Sequence, residues 1–426
     1  MRRSGAIGRE AACERHRRSI YRNYVDGGEL DRVLREAGVT GRGEPALGAR
    51  PRAPGVELPR ARLVPSPAVP TAAAARVPAV AHVHGLRRRG GGAARGRCRE
   101  LRPLAAGDDG AMNPVERSVE VKRRATAFGF DAVGVTALAR NAHAAELDRW
   151  LAAGHAATMT YLHRQAEKRK DPARILPEAR VAVVTLTNYF HGSADSGPAA
   201  PGTARVAQYA WSADYHRVLG PRLERLAAAI RDVAPGATTR CYADAGPVPE
   251  RELAQRAGLG WIGKNMMLIH PALGSFTFIG TVLTDADLAP DLPFDVDRCG
   301  TCRRCLDACP TEAFAAPREL DARRCIAYLT IEKRGDFTVV ERAMVGDWVF
   351  GCDICQDVCP WNVKFARPAM DPELAPRADL RAPDLAALLA ADDAEFQRRY
   401  ADTPFARPGP AGMRRNASAT RTNQPT

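Results

Sequence analysis

The sequence predicts an α/β (α+β) domain over residues 112–290, a compact cysteine-bound module over 291–365 and a helical segment over 366–426. Three observations carry this. Helix-period and strand-period segments alternate from Met112 to about Asp285, the pattern of helices layered on a sheet. Seven cysteines then fall in two bursts, "CGTCRRCLDACP" (Cys299 to Pro310) and "CDICQDVCP" (Cys352 to Pro360), and Cys325 lies between them. The composition also changes abruptly at Met112.

Before Met112 the chain is unlike the rest. The full 426 residues carry a net charge of +13, which raises the possibility of a nucleic-acid partner. Residues 1–111, however, hold 22 arginines, no lysine and 11 acidic residues, leaving a net of only +2 from Met112 onward. Stretches such as "LRRRGGGAARGRCRE" lack bulky apolar residues at any steady period and cannot bury enough surface to fold. Arginine without lysine is what GC-rich DNA ahead of a true start encodes. Residues 1–111 are therefore expected to be a disordered or mis-assigned leader, with a basic nucleic-acid tail as the alternative, and Met112 to open the folded protein. "MRRSGAIGRE" has twin arginines but no apolar stretch behind them, so it is not an export signal. No run approaches eighteen apolar residues, so no membrane span is expected and the location is cytoplasmic.

The elements follow in order. "NPVERSVEVKRRATAFG" offers Asn113 as N-cap, Pro114 in the first turn and Gly129 as the stop. "DAVGVTAL" is a strand and "NAHAAELDRWLAAG" a helix. "VAVVTLTNYF" (Val181 to Phe190) is a buried strand. Leu219, Leu223, Leu226, Ile230 and Val233 share one helical stripe, and "TRCYAD" and "SFTFIGTVLTD" are further strands.

Eleven cysteines without a secretory signal argue against a disulfide framework. Zinc would want four ligands in two knuckles. The C-x-x-C-x-x-C-x-x-x-C-P run is instead the bacterial ferredoxin pattern, whose fourth cysteine ligates the other cluster. On this spacing Cys299, Cys302, Cys305 and Cys359 hold one 4Fe–4S cluster, and Cys309, Cys325, Cys352 and Cys355 hold the second. Cys241, in a strand, is a small buried hydrophobe, and Cys13 and Cys98 carry no signal.

A two-cluster carrier needs little beyond its ligand runs, so the preceding domain implies that electrons are used on site. "CYADAGPVPERELAQRAGLGWIGKN" (Cys241 to Asn265) contains Gly258-x-Gly260-x-x-Gly263, but the glycines follow a helix rather than a strand, so the dinucleotide fingerprint fails on context. They are expected to end that helix and to let backbone approach something large and flat.

These residues, with "GSFTFIGTVLTD", "RRCIAYLTIEKRG", "GCDICQDVCPWN" and a late "RRNA", resemble epoxyqueuosine reductase from about Asn113 to Ala417. The resemblance implies a nitroreductase-like catalytic domain that binds cobalamin, followed by a ferredoxin-like module with two 4Fe–4S clusters. It implies reduction of epoxyqueuosine to queuosine at the wobble position of a tRNA anticodon, in a monomer fed by an external donor such as a flavodoxin or ferredoxin. Asp244 is then the proton donor. The chemistry agrees: opening an epoxide needs an acid that still holds its proton near neutral pH, and burial against a cofactor face favours that form. The alternative for Asp244 is a cap on the helix beginning near Pro249. Cofactor-binding roles carry over to Tyr215, His216, Arg251, Trp261, Lys264, Ser275 and Thr330. "SADYH" makes Asp214 a site-lining residue or an N-cap, and "TIEKRG" (Thr330 to Gly335) is expected to face cobalamin or the anticodon.

The chain also departs from the family. Gln208 stands where arginine is usual, and Ser212-Ala213 where Gly-Arg is usual. The C-terminus "SATRTNQPT" is expected to be a polar tail without periodicity, shortened relative to the family, with a weakened grip on tRNA. Two rival readings are a corrinoid reductive dehalogenase, which would normally carry an export signal, and a non-catalytic iron–sulfur electron carrier.

Overall fold

The computed structural model describes residues 112–192 and 199–424, so the expected leader with Cys13 and Cys98 lies outside the described residues. Asn113 opens helix α1 (Pro114–Ala127). Its side chain accepts the N–H groups of Val115 and Glu116, and Glu116 reaches back to the Asn113 N–H, closing a capping box.

Strands β1 (Ala132–Ala137), β2 (Val181–Asn188), β3 (Thr239–Ala243) and β4 (Thr277–Thr284) form one antiparallel sheet in the order β1–β2–β4–β3. Every residue of β2 is buried because helices cover both faces. Val181 and Val183 join α1 and helix α2 (Tyr215–Val233) through Val121, Ala125, Leu219, Leu223, Leu226 and Ile230. Ala182, Val184 and Leu186 face helix α3 (Glu250–Arg256) through Leu253, Ala254 and Ala257. The strand's period of two thus serves two cores, and this is why its sequence is apolar without alternation.

Strand β1 meets the end of α3 at Gly134, where an added Cβ would lie 2.1 Å from the carbonyl oxygen of Ala257. Gly134→Ala forces backbone apart between the sheet and the helix that carries Glu250 and Arg251. The expected cost is about 1–3 kcal/mol, seen as a lower denaturation midpoint with an unchanged slope. An unchanged midpoint would mean that the α3 contact yields freely.

In the cysteine module, helix α4 (Ile326–Ile331) follows Cys325, and strand β5 (Trp348–Phe350) pairs in parallel with Arg205–Val206. The module therefore borrows a strand from the preceding segment. All described residues belong to one compact unit, and none of the described helices is long and apolar enough to cross a membrane.

The C-terminal segment corrects an expectation. "SATRTN" is not a polar tail but lies within helix α5 (Gly409–Asn423), with Ala417, Ala419 and Thr420 buried. Its small side chains let the helix close on β5, and Thr420 Oγ1 donates to the Trp348 carbonyl. Periodicity of bulky residues could not reveal a helix packed by alanine and threonine. The "RRNA" motif lies on α5. Arg415 donates to the carbonyls of Leu329, Lys333 and Gly335, and Asn416 donates to those of Thr330 and Val349. A buried Arg222 on α2 pairs with Asp371 and Glu373, tying the last segment to the sheet domain as well.

Candidate active site

Strand β3 ends at Ala243, and Asp244 follows with φ +58°, a left-handed conformation that side chains rarely adopt. Two contacts hold it there. The Tyr215 hydroxyl donates to Asp244 Oδ2 at 2.6 Å, and Glu250 Oε1 accepts the Asp244 N–H at 2.7 Å. Asp244 does not cap α3: the cap position is Pro249, which has no capping side-chain bond.

Tyr215 is placed by its own helix end. Asp214 is the N-cap of α2, accepting the His216 N–H at 2.9 Å and meeting His216 Nδ1 at 2.7 Å. The Tyr215 ring stacks between His216 and Phe278, with centroids 4.2 and 4.4 Å away. Burial, and then the charge of Asp244, push the Tyr215 hydroxyl far above the usual tyrosine range, so it remains a donor. The same causes raise Tyr209. Arg251 is solvent-exposed, yet surrounding protein lowers its pKa; it donates to the Met266 carbonyl at 2.5 Å. Arg251 is thus accessible to solvent yet closely surrounded by protein, as on a concave surface.

Other segments reach this recess. Tyr161 is raised by burial and then by Glu332, with Asp244 contributing. Arg407 pairs with Glu332 at 2.9 Å and also senses Asp244. Arg169 acts on Glu250 and Arg251, and its Nε is buried without a partner among the described residues. Sequence reading missed Tyr161, Arg169, Glu250, Glu332 and Arg407 as members of one site. Glu332 lies in "TIEKRG" and Glu250 in the stretch from Cys241 to Asn265, both quoted above, whereas Tyr161, Arg169 and Arg407 lie in no motif singled out for the site.

Glu250 is pushed up to about 8, first by burial and then by Asp244. A carboxyl whose folded pKa is raised costs stability as pH climbs from its ordinary range toward that value. Glu250→Gln keeps an oxygen for the Asp244 N–H and removes the titration. The variant should lose less stability than the parent between about pH 5 and 8, measured as melting temperature against pH. Parallel profiles would place the ionisation of Glu250 elsewhere.

The remaining predicted residues divide. Trp261 is buried and its Nε1–H points to Cys299 Sγ at 3.4 Å. Lys264 Nζ donates to the carbonyls of Gly300 and Cys302 at 2.6 and 2.9 Å. Both stand at the first cysteine group. Ser275 is buried, donating to Gln356 Oε1 and accepting from Asn362 Nδ2. Thr330 is buried, donating to the Ile326 carbonyl and accepting the Gly351 N–H. Tyr215, His216 and Arg251 gather with Asp244; these four do not. The glycine run ends α3 as expected, with Gly258 at φ +78°. Its close approaches are to protein, however: a Cβ would meet the Leu292 oxygen at Gly258 and the Ile269 oxygen at Gly260.

The eight thiols of the module form two sets. A cavity of about 190 Å³ is lined by Cys299, Cys302, Cys305 and Cys359. Burial pushes Cys305 up to about 11, with Cys359, Cys299 and Cys302 adding to it. In the second set burial raises Cys325, Cys352 and Cys355, and Cys309 adds to all three. Cys305 also acts on Cys355, so the sets adjoin. Every described cysteine is free. Among the described residues no three His, Cys, Asp or Glu side chains converge tightly enough for a single ion. The donors are all sulfur, suiting a cluster that fills space between them.

Two four-thiol sets in one compact unit with the Asp244 carboxyl site define an iron–sulfur oxidoreductase. Residues 298–362 match the family described as a 4Fe-4S double cluster binding domain, and residues 169–245 match the one described as epoxyqueuosine reductase QueG, DUF1730. The epoxyqueuosine reductase of Pseudomonas aeruginosa is 38% identical over 316 residues, 74% of this chain and 87% of the relative. That of Gloeobacter violaceus is 41% identical over 306 residues, 70% and 94% of the two chains. A crystal structure of epoxyqueuosine reductase with an epoxyqueuosine-modified tRNA-Tyr stem loop matches with a TM-score of 0.64 at 30% identity, covering 72% of this chain and 80% of that one. The enzyme from Streptococcus thermophilus matches with the same TM-score at 28% identity, over 72% and 80%. The chain belongs to the epoxyqueuosine reductase family.

Proposed function

We propose that this protein reduces epoxyqueuosine to queuosine at the wobble position of a tRNA anticodon, in the cytoplasm, with Asp244 as proton donor. The observation that carries the reading is the Tyr215–Asp244–Glu250 arrangement at the recess. It is supported by family membership and by the relative solved with a modified tRNA stem loop. The overall change consumes two electrons and two protons, and the epoxide oxygen leaves as water.

The residues here fit cobalamin: the Tyr209 and Tyr215 rings stand 6.2 Å apart beside accessible Asp244 and Arg251, with an orphaned Arg169 Nε among the charged groups. Tyr209, Tyr215, His216 and Arg251 would hold it. When bound, it supplies a metal centre that takes single electrons from the clusters and delivers them to carbon. The first cluster would be held by Cys299, Cys302, Cys305 and Cys359, the second by Cys309, Cys325, Cys352 and Cys355. Tyr209 and Cys352 pack against the same buried cluster of Ala207, Ile326, Trp348 and Ile354, and Tyr209 also senses Asp244, which supports the second set as the one nearer the recess. An external redox protein is the electron source.

The chain's own residues manage the proton. Tyr215 keeps its hydroxyl hydrogen and donates it to Oδ2, leaving Oδ1 to carry the transferable proton toward the departing oxygen. Glu250 fixes the backbone of the turn through the Asp244 N–H. The test is anaerobic reconstitution followed by incubation with tRNA bearing epoxyqueuosine, with nucleosides resolved by mass spectrometry. Queuosine should appear. Its absence with both clusters and cobalamin loaded would reject the reading.

A further inference from the structure

The two thiol sets differ in what surrounds them. The Cys299 cavity is lined by Arg298, which is solvent-exposed, and by Trp361, which is partly so, and exposed Lys364 follows on the same helix. This set therefore lies at the protein surface. Its rim is a continuous aromatic and cationic surface. The Arg298 guanidinium stands 5.3 Å from the Phe294 ring centroid and 5.9 Å from that of Trp361. Trp361 stacks on Phe365 at 5.0 Å, and Lys364 Nζ lies 5.1 Å from the Phe365 centroid. Inward, Trp261 meets Trp361 edge-on at 4.8 Å and points its N–H at Cys299. Val363 beside Lys364 and Val296 beside Arg298 are each 58% exposed. Among the described residues neither Arg298 nor Lys364 makes an ion pair.

Unpaired cations around exposed apolar side chains, at the mouth of a cluster site, complement an acidic partner with an exposed redox edge. We propose that the Arg298–Trp361–Lys364 surface docks an acidic flavin-containing redox protein that charges this surface cluster. This rests on the reading above, and specifies where its electron donor binds. In each encounter the reduced flavin gives up one electron and the oxidised cluster takes it; no bond changes and no proton needs to cross the interface. An RNA ligand would also favour cations and aromatic rings. The position favours the redox partner, since a tRNA wobble base must reach Asp244 while an electron donor must reach this cavity.

The test titrates oxidised flavodoxin, as probe, into the cluster-loaded full chain at several salt concentrations. Lys364→Glu combined with Arg298→Glu should weaken binding at least about tenfold and flatten its salt dependence. Lys364→Arg should bind like the parent. Lys364→Glu alone should keep its iron and its cluster reduction by a small photochemical reductant, while reduction by flavodoxin slows. Unchanged flavodoxin affinity in an iron-replete double variant overturns the proposal. So does lost affinity for a tRNA anticodon stem loop with flavodoxin binding intact, which would make the patch an RNA face. If the parent's clusters reduce chemically but flavodoxin never binds, the docking site falls and the proposed reaction stands. If the clusters do not form at all, both fall together.

Discussion

Asp244→Asn should retain cobalamin and both clusters and lose about a hundred- to ten-thousandfold in turnover, the usual contribution of general acid catalysis. The substitution is clean for two structural reasons. Asparagine tolerates the left-handed backbone that φ +58° imposes, whereas alanine would add strain to lost chemistry. Its amide oxygen can also still accept the Tyr215 hydroxyl now bonded to Oδ2. Only the transferable proton disappears. The measurement is single-turnover conversion of epoxyqueuosine in tRNA across a pH series. A rate equal to the parent's at every pH would demote Asp244 to a backbone element. Loss of cobalamin with the rate would make it an anchor, and the proton would have to come from Tyr215, His216 or water.

Cys309→Ala should lower iron from about eight to about four atoms per chain and abolish turnover. The loss should fall on the cluster of Cys325, Cys352 and Cys355. Cys309 follows Cys305 by four residues, yet its charge acts on those three thiols, each already raised by burial. A buried set short of one thiolate cannot complete its metal coordination. Electron paramagnetic resonance of the reduced protein separates the two signals. Damage to the cluster of Cys299, Cys302 and Cys305 would overturn the crossed assignment.

The sequence carried the local grammar well. Asn113, Pro114 and Gly129 bounded a helix, the Leu219-to-Val233 stripe faced a core, and the C-x-x-C runs marked the double-cluster domain. Each signal is short-range or periodic, so a linear reading sees it. The recess was only partly legible. Asp244 and Tyr215 sit in quoted motifs, but Tyr161, Arg169 and Arg407 come from separate segments brought together by packing. A helical segment was expected here, but the last turns of α5, Ser418–Asn423, were read as a polar tail because their buried side chains are small, and the hydrophobic period is invisible without bulk. Thr330 and Ser275 looked like ligand-facing polar groups. They proved to be struts whose hydroxyls are occupied by protein partners, a distinction that only burial makes.

The Arg415–Asn416 latch has a bearing on how the protein is made. Asn416 satisfies the carbonyl of Val349, 67 residues earlier, and that of Thr330, 86 residues earlier. At translation rates of about 5–20 residues per second, those acceptors wait roughly 3–17 s for their donor. Glu332, at the recess, sits in the same loop and also depends on a later residue, Arg407. One wall of the recess is thus completed only late in synthesis. Any group that needs both Glu332 and Arg407 in place can be held only after residue 407 has been made, so the order of loading and latching follows chain order.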